Sequence, residues 1–209
     1  IKRDEPAKIR SIVTGDHATT LKMSYLGYFC EAALSNCAVL PLTWGESLRV
    51  GELEEYARST DNERFVHMPL DQSAFDKNVS TEILLDVVSW LVKVASDWGG
   101  GAEARRVGDA LMHAMSGGVL IVDKGGSYPI ERGVLSGWKW TALLDSLVNY
   151  LQFEEVSRAV GVVPHARRFQ GDDAQLLLND EADAALLTAG YRAYGLEVNP
   201  SKFWVSRTR

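Results

Sequence analysis

The sequence is poor in cysteine and has no long apolar run, which excludes several classes of protein. Cys30 and Cys37 are its only two cysteines in 209 residues, and no second Cys or His cluster lies near them. Neither a disulfide framework nor a zinc site is therefore indicated. No run of about eighteen uncharged apolar residues occurs, as a transmembrane helix would need. Together with a charged first segment in place of a signal peptide, this predicts a soluble intracellular protein with free thiols.

Positive charge is also in deficit. The 22 Lys and Arg against 28 Asp and Glu give a formal net charge of -6. That balance argues against indiscriminate nucleic-acid binding, because phosphate neutralisation needs Lys and Arg facing the backbone. The basic residues are nevertheless clustered, and local basic patches or a merely solvated surface both explain the clusters Lys2 and Arg3, Lys8 and Arg10, Arg105 and Arg106, Arg167 and Arg168, and Arg207 and Arg209.

Long flexible linkers and internal repeats are absent as well. The one glycine-rich spot, residues 99–101, is too short for an interdomain linker, and the 46% hydrophobic content is enough for one sizeable core. We therefore expect one domain or parts of two. Because the last residues, SKFWVSRTR, form an extended segment without a capping element, we also expect the chain to be a fragment of something larger.

Periodicity predicts helices and strands in separate stretches. Apolar residues recur at helical spacing over 81–98, from 141 to about 160, and over 181–194, where Gly195 is a C-terminal cap. Two short apolar runs around a Lys-Gly-Gly-Ser turn predict a hairpin over 118–133. Two further strands should meet at Gly171, Asp172 and Asp173. This mixture favours an α+β architecture over a regularly alternating one.

Carboxylates stand at two predicted strand ends. In LDQSAFDKN, Asp71 ends a strand and Asp76 follows before a helix, although a helix cap and a surface charge would explain the two residues taken alone. Asp172 and Asp173 lie in a turn, where Gly and Asp are common for backbone reasons. If the strand ends meet, however, the carboxylates can hold Mg²⁺, which prefers hard oxygen ligands. Two ions roughly 3.5 to 4 Å apart serve in-line phosphoryl displacement.

Five segments in order resemble the motifs of viral RNA-dependent RNA polymerases. LDQSAFD resembles motif A, SGWKWT motif B and FQGDDAQ motif C, while KRDEPAKIRSI resembles motif F and GLEVNPSKF motif D. The resemblance implies a right-hand polymerase palm with part of the fingers and without the thumb. It implies a fingers segment over 1–70 and a palm over 71–209 that contains an inserted fingers part around 98–132.

The resemblance also implies a role for each matching residue. Asp71 and Asp172 would bind two Mg²⁺ or Mn²⁺ ions with help from Asp173, and Lys202 would protonate the leaving pyrophosphate. Residues implied in nucleotide binding are the triphosphate-neutralising Lys2, Lys8 and Arg10, the ribose-sensing Asp76 and Thr141, and the mobile loop of Ser136 and Gly137 that touches template and nucleotide.

One position departs from the pattern. Four residues after Thr141, many relatives have an asparagine that bonds the sugar-sensing aspartate, whereas this sequence has Asp145. Asn149, one helical turn further on, is a possible substitute. In having aspartate at this position, the sequence resembles polymerases of the partitivirus and picobirnavirus type, which predicts that subgroup.

The predicted function is template-directed nucleotidyl transfer from NTPs, with the RNA template, the nascent RNA, and the missing thumb and N-terminal parts of the polymerase as partners. No membrane segment is expected, and a viral protein of this kind would act in the host cytoplasm or inside the virion. A reverse transcriptase is a weaker alternative because the Tyr-x-Asp-Asp and Leu-Pro-Gln-Gly motifs are absent. A non-catalytic RNA-binding or assembly module derived from a palm, and aspartates that are unrelated turn residues, also remain open. The isolated fragment is expected to be poorly active.

Overall fold

The structure is a computed structural model that describes residues 13–60, 64–72, 75–122, 125–199 and 205–206. Its helices are α1 (His17–Ala33), α2 (Glu46–Thr60), α3 (Phe75–Asn78), α4 (Thr81–Ala95), α5 (Gly101–Ser116), α6 (Thr141–Val160) and α7 (Glu181–Ala193). Its strands are β1 (Val66–Asp71), β2 (Val119–Val122), β3 (Gly126–Pro129), β4 (Ala166–Gln170) and β5 (Asp173–Leu178). In the described ranges, no helix has the length and apolar character needed to cross a membrane.

Two compact units each combine stretches that are distant in sequence. The first consists of Ile1–Ala33 and Asp76–Leu144, and the second of Leu34–Phe75 and Asp145–Arg209. Both contain helices and strands, so the expected α+β class is confirmed. The division of the chain into a fingers segment over 1–70 and a palm over 71–209 stays a prediction.

The first unit is built on three helices that pack on one another, α1, α4 and α5. Helix α4 begins after Ser80, whose hydroxyl accepts a hydrogen bond from the Ile83 amide at 3.2 Å. It buries an apolar stripe at helical spacing, as its sequence predicts, and this stripe consists of Leu84, Val87, Val88, Leu91, Val92 and Ala95. The regular helix ends at Ala95 rather than Trp98, because the backbone kinks over Ser96–Gly100, where Gly99 has a φ of 109°.

The predicted hairpin is present in the first unit. Strands β2 and β3 pair antiparallel, with Val119 opposite Pro129 and Val122 opposite Gly126. Gly126 has a φ of 96°, a conformation that a residue without a Cβ adopts at little cost. The turn chemistry of the Lys-Gly-Gly-Ser segment therefore located the hairpin correctly.

The second unit contains a three-stranded antiparallel sheet in the order β1-β5-β4. One face of this sheet is apolar, since Val66, Met68 and Leu70 of β1 alternate into the core. Helices α6 and α7 cover this face with buried side chains that include Phe153, Val156, Leu187 and Tyr191. The central strand β5 contributes Ala174, Leu176 and Leu178 to the same core. The sheet is thereby held against the helices, and its β1 and β5 ends carry the predicted carboxylates.

Candidate functional site

Two of the predicted carboxylates lie opposite each other at one end of the sheet. Asp71 is the last residue of β1 and Asp173 the first of β5, and the register pairs them directly. Residues paired across antiparallel strands have Cβ atoms about 4.5 to 5.5 Å apart and point to the same face. Their neighbours Leu70 and Ala174 point into the core, so both carboxylates point to the opposite face. Asp71 is 6% exposed, whereas Asp173 is exposed to solvent.

The third carboxylate lies on the turn that joins β4 to β5. Gln170 and Asp173 pair across the hairpin, which leaves Gly171 and Asp172 as a two-residue loop. Gly171 has a φ of 66°, and a positive φ confined to the first loop position is the pattern of a type II′ turn, which matches the strand twist. Asp172 is exposed. Strand pairing and this turn therefore bring all three predicted metal ligands to one end of one sheet.

The peptide and the side chain of Asp71 are both held by Asn199. The Asn199 amide nitrogen donates to the Asp71 carbonyl at 2.8 Å, and its side-chain Nδ2 donates to Asp71 Oδ2 at 2.8 Å. A further antiparallel bridge joins Gln72 to Val198. Asn199 belongs to the segment that resembled motif D, so that segment is anchored directly to the strand end that carries Asp71. Sequence reasoning did not identify Asn199.

The donor set fits a metal ion in its chemistry but does not form a ready-made cage. Among the described residues, no group of three or more His, Cys, Asp or Glu side chains is arranged to hold a metal ion. The three aspartates carry only hard carboxylate oxygens, which suit Mg²⁺. Mg²⁺ is usually held by one or two carboxylates together with substrate phosphates rather than by an all-protein cage. Asp71, Asp172 and Asp173 are therefore the residues that would hold such ions, jointly with a nucleotide.

A buried polar network lies behind the turn. Gln72 donates from Nε2 to Asn149 Oδ1 at 3.1 Å and to Gln152 Oε1 at 3.0 Å. Asn149 Nδ2 in turn donates to the Gly171 carbonyl at 3.1 Å, and the Gly171 amide donates to Ser146 Oγ at 2.8 Å. Three of these residues, Gln72, Ser146 and Gln152, were missed by sequence reasoning. The available signal was the three-residue spacing of the polar positions 146, 149 and 152 on a largely buried helix.

The loop that resembled motif B is tied to the segment after residue 12. Gly137 forms a parallel bridge with Thr14, and the Val13 amide donates to Ser136 Oγ at 3.2 Å. Thr141 begins α6 and its hydroxyl donates at 2.7 Å to the Leu135 carbonyl, so it also stabilises this loop. Nucleotide contact by Ser136, Gly137 and Thr141 stays a prediction.

The remaining predicted residues are distributed unevenly. Asp145 is 5% exposed and Asn149 is fully buried in α6, with both amide atoms of Asn149 bonded in the network described above. Asp76 lies within the short helix α3. Lys2, Lys8, Arg10 and Lys202 lie outside the described residues. Their predicted roles in nucleotide binding and proton transfer stay predictions.

Two of the five expected basic patches, at 105–106 and 167–168, are engaged in ion pairs. Short contacts neutralise one arginine at 105–106 and both at 167–168, namely Arg106–Glu103 at 2.6 Å, Arg167–Glu154 at 2.9 Å and Arg168–Glu52 at 2.9 Å. Arg168 is the best shielded, because its side chain is only 12% exposed. The ion pairs within the protein therefore explain these arginines better than RNA binding does.

Comparisons with known proteins find similarity to viral RNA polymerases. The family of viral RNA-directed RNA polymerases matches residues 110–209. A probable RNA-directed RNA polymerase of Giardia lamblia virus (isolate Wang) is 28% identical over 215 residues, which cover all of this chain and 11% of that protein. The chain thus spans about a tenth of the length of this curated relative.

Solved structures show the same fold. The RNA-dependent RNA polymerase of a human picobirnavirus superposes with a TM-score of 0.67 at 18% identity, covering 96% of this chain and 37% of that one. Its insertion-loop deletion mutant superposes with a TM-score of 0.69 at 19% identity, covering 96% and 38%. These likenesses confirm the α+β polymerase fold, whereas the partitivirus and picobirnavirus subgroup stays a prediction. By its ordered motifs, its matching family model and its curated relative, the chain is similar to the viral RNA-directed RNA polymerases.

Proposed function

We propose that this chain carries the catalytic carboxylates of an RNA-dependent RNA polymerase that joins nucleotides from NTPs along an RNA template by a two-metal mechanism. The observation that supports it is the pairing of Asp71 with Asp173 at the strand end beside the turn that carries Asp172. Carboxylates from separate strands meet there, where the sheet end leaves two of them exposed.

The three aspartates would have different roles because they differ in burial. Asp71 is buried and held by Asn199, so it provides a fixed ligand. Asp172 and Asp173 are exposed and can reach a ligand that arrives with the nucleotide. When bound, two divalent ions would activate the attacking 3′-oxygen and stabilise the leaving oxygen. The chain supplies the orientation, because carboxylates fixed before substrate arrives cost no reorganisation during the reaction.

The nucleotide side of the site rests on residues carried over from the family resemblance. Lys2, Lys8 and Arg10 would neutralise the triphosphate, and Lys202 Nζ would give a proton to the leaving pyrophosphate oxygen. The ribose would be sensed through its 2′-hydroxyl, which distinguishes RNA precursors from DNA precursors, by Asp76, Thr141 and Asp145, with Asn149 as a possible substitute. The loop of Ser136 and Gly137 would contact template and nucleotide.

The partners of this segment would be the RNA template, the nascent RNA, NTPs and the remaining parts of the polymerase. Since the chain covers 38% of a structurally similar polymerase and has a net charge of -6, we expect it to bind RNA weakly and to incorporate nucleotides poorly without a thumb. As a viral polymerase it would act in the host cytoplasm or inside the virion.

The test is Asp172→Asn in the complete polymerase, assayed for NTP incorporation on an RNA template with Mg²⁺ or Mn²⁺. We expect a loss of about a hundredfold or more with an unchanged melting temperature, because the substitution removes charge but little volume. Asp109→Asn is the matched control, since Asp109 is an exposed aspartate on α5. Near wild-type incorporation by the Asp172 variant would disprove the proposed role.

The same assay separates the alternatives. A wild-type polymerase that binds RNA but incorporates no nucleotide with either ion would favour a non-catalytic RNA-binding or assembly module. Preference for dNTPs over NTPs on an RNA template would indicate a reverse transcriptase.

A further inference from the structure

Helix α6 presents polar side chains to the turn that carries Asp172. Ser146 and Asn149 are both fully buried and stand three residues apart on the helix, so they share a face. The two residues between them in sequence, Leu147 and Val148, are apolar and also buried. Buried polar side chains are costly unless each is hydrogen-bonded, and each of these two bonds a backbone atom of Gly171.

The two hydrogen bonds hold both the amide and the carbonyl of one residue, Gly171. Ser146 Oγ accepts from the Gly171 amide at 2.8 Å, and Asn149 Nδ2 donates to the Gly171 carbonyl at 3.1 Å. A two-residue loop tip has few contacts of its own and is usually among the more mobile parts of a fold. Hydrogen bonds to the amide and the carbonyl of the first loop residue restrain both its position and its rotation. They therefore also restrain the orientation of Asp172, the next residue of the loop.

Asn149 also connects this turn to the strand that ends in Asp71. A carbonyl can only accept, so the Asn149 atom that faces Gly171 must be the Nδ2 donor. The other amide atom, Oδ1, must then accept, and it does so from Gln72 Nε2 at 3.1 Å. The second bond of Gln72 Nε2, to Gln152 Oε1 at 3.0 Å, fixes the Gln72 amide in the same orientation. Gln72 directly follows Asp71, so one side chain bridges the two segments that carry the predicted metal ligands.

We propose that Ser146, Asn149 and Gln72 are positioning residues that set the Asp172 turn at a fixed distance from Asp71. This proposal rests on the proposed polymerase function. None of the three is assigned contact with metal or reacting atoms in this role; they act through Gly171 and through the end of β1. Their effect should therefore appear in metal binding and turnover, and only weakly in the affinity for NTP.

The matched control lies on the same helix. Ser157 is also buried, and its hydroxyl donates to the Val162 carbonyl within the turn that follows α6. Ser157→Ala and Ser146→Ala each remove one buried hydroxyl from α6, and each removes a hydrogen bond to one backbone group. A purely structural role for Ser146 predicts that the two variants behave alike.

The experiment uses the complete polymerase and three readouts. Mn²⁺ binding without turnover is measured by electron paramagnetic resonance, NTP incorporation gives kcat and KM, and thermal unfolding gives Tm. We expect Ser146→Ala to weaken Mn²⁺ binding and lower kcat by about tenfold or more, with KM changed less than about twofold, because small displacements of catalytic groups act on turnover. Ser157→Ala should lower Tm comparably while leaving Mn²⁺ binding and kcat unchanged.

A second variant keeps the test decisive if Ser146→Ala does not fold. Gln72→Met has similar length and removes the bond to Asn149 without touching Gly171, and it should show the same loss of Mn²⁺ binding and kcat. The proposal is overturned if the folded variants match Ser157→Ala in all three readouts. Failure of the proposed function is a distinct result, since Asp172→Asn would then remain active in the same assay whatever the positioning variants do.

Discussion

The loop containing Gly137 allows a sharp test of whether backbone packing supports the predicted nucleotide site. A Cβ added at Gly137 would lie 2.2 Å from the Val13 carbonyl oxygen and 2.7 Å from Thr14 Cα, whereas ordinary contacts are 3.4–4 Å. Both neighbours are backbone atoms, so no rotamer change can relieve the overlap. In Gly137→Ala the two segments must separate by more than about 1 Å, which breaks the Gly137–Thr14 bridge.

We expect Gly137→Ala to slow single-turnover NTP incorporation in the complete polymerase by about a hundredfold, since a displacement of about 1 Å near a reacting group can cost that much. The change is confined to one loop, so the circular dichroism spectrum should be unchanged. Gly51→Ala is the control, because Gly51 lies in α2 with nothing within 4 Å of its added Cβ. That control should keep the wild-type rate and gain up to about 1 kcal/mol from helix propensity. A Gly137→Ala rate within about twofold of wild type would refute the reasoning.

Three further predictions follow from other parts of the chain. Gly108→Ala should lower the free energy of unfolding in urea by about 1 to 3 kcal/mol, because its Cβ would lie 2.3 Å from Val92 Cγ1 on the packed helix α4. In a Val92→Ala background the same change should be neutral or stabilising. A loss of stability that persists in that background contradicts the packing argument. Burial raises the pKa of the Cys30 thiol to about 11, so this thiol stays protonated at pH 8 and should resist iodoacetamide in the folded protein. The half-buried Cys37 should react. Equal labelling of the two cysteines, measured by mass spectrometry, would show that Cys30 is not buried. Lys202→Leu in the complete polymerase should slow the single-turnover chemical step more than it weakens NTP binding, as expected of a general acid, and an unchanged rate would remove Lys202 from that role.

Local sequence determined helix α6 and the β4–β5 hairpin. Helix α6 was predicted from residue 141 to about 160, and it runs from Thr141 to Val160. The strands around Gly171-Asp172-Asp173 were predicted from the turn residues, and β4 and β5 meet there. Helical and strand periodicities, and a glycine that adopts positive φ, are properties of a few consecutive residues, so they are legible without the rest of the chain.

Helix α1 was not predicted, and its composition explains why. Its buried side chains, among them Met23, Leu26 and Cys30, have helical spacing. Its exposed side includes Leu21 and Tyr28, which are 70% and 75% exposed. Apolar residues on both sides remove the contrast on which periodicity depends. Only packing against α4 and α5 distinguishes the buried face.

The order of the motifs, which the sequence alone contains, identified the three aspartates as candidate metal ligands but not the residues that hold them. The Asn199 bond to Asp71 joins residues 128 positions apart, and Ser146 reaches Gly171 across 25. Asn149 was predicted from family resemblance as a possible sugar-sensing residue, whereas the structure gives both of its amide atoms partners in the turn and in Gln72. Such bonds depend on how α6, β1 and the β4–β5 hairpin pack together, and no run of neighbouring residues specifies that packing.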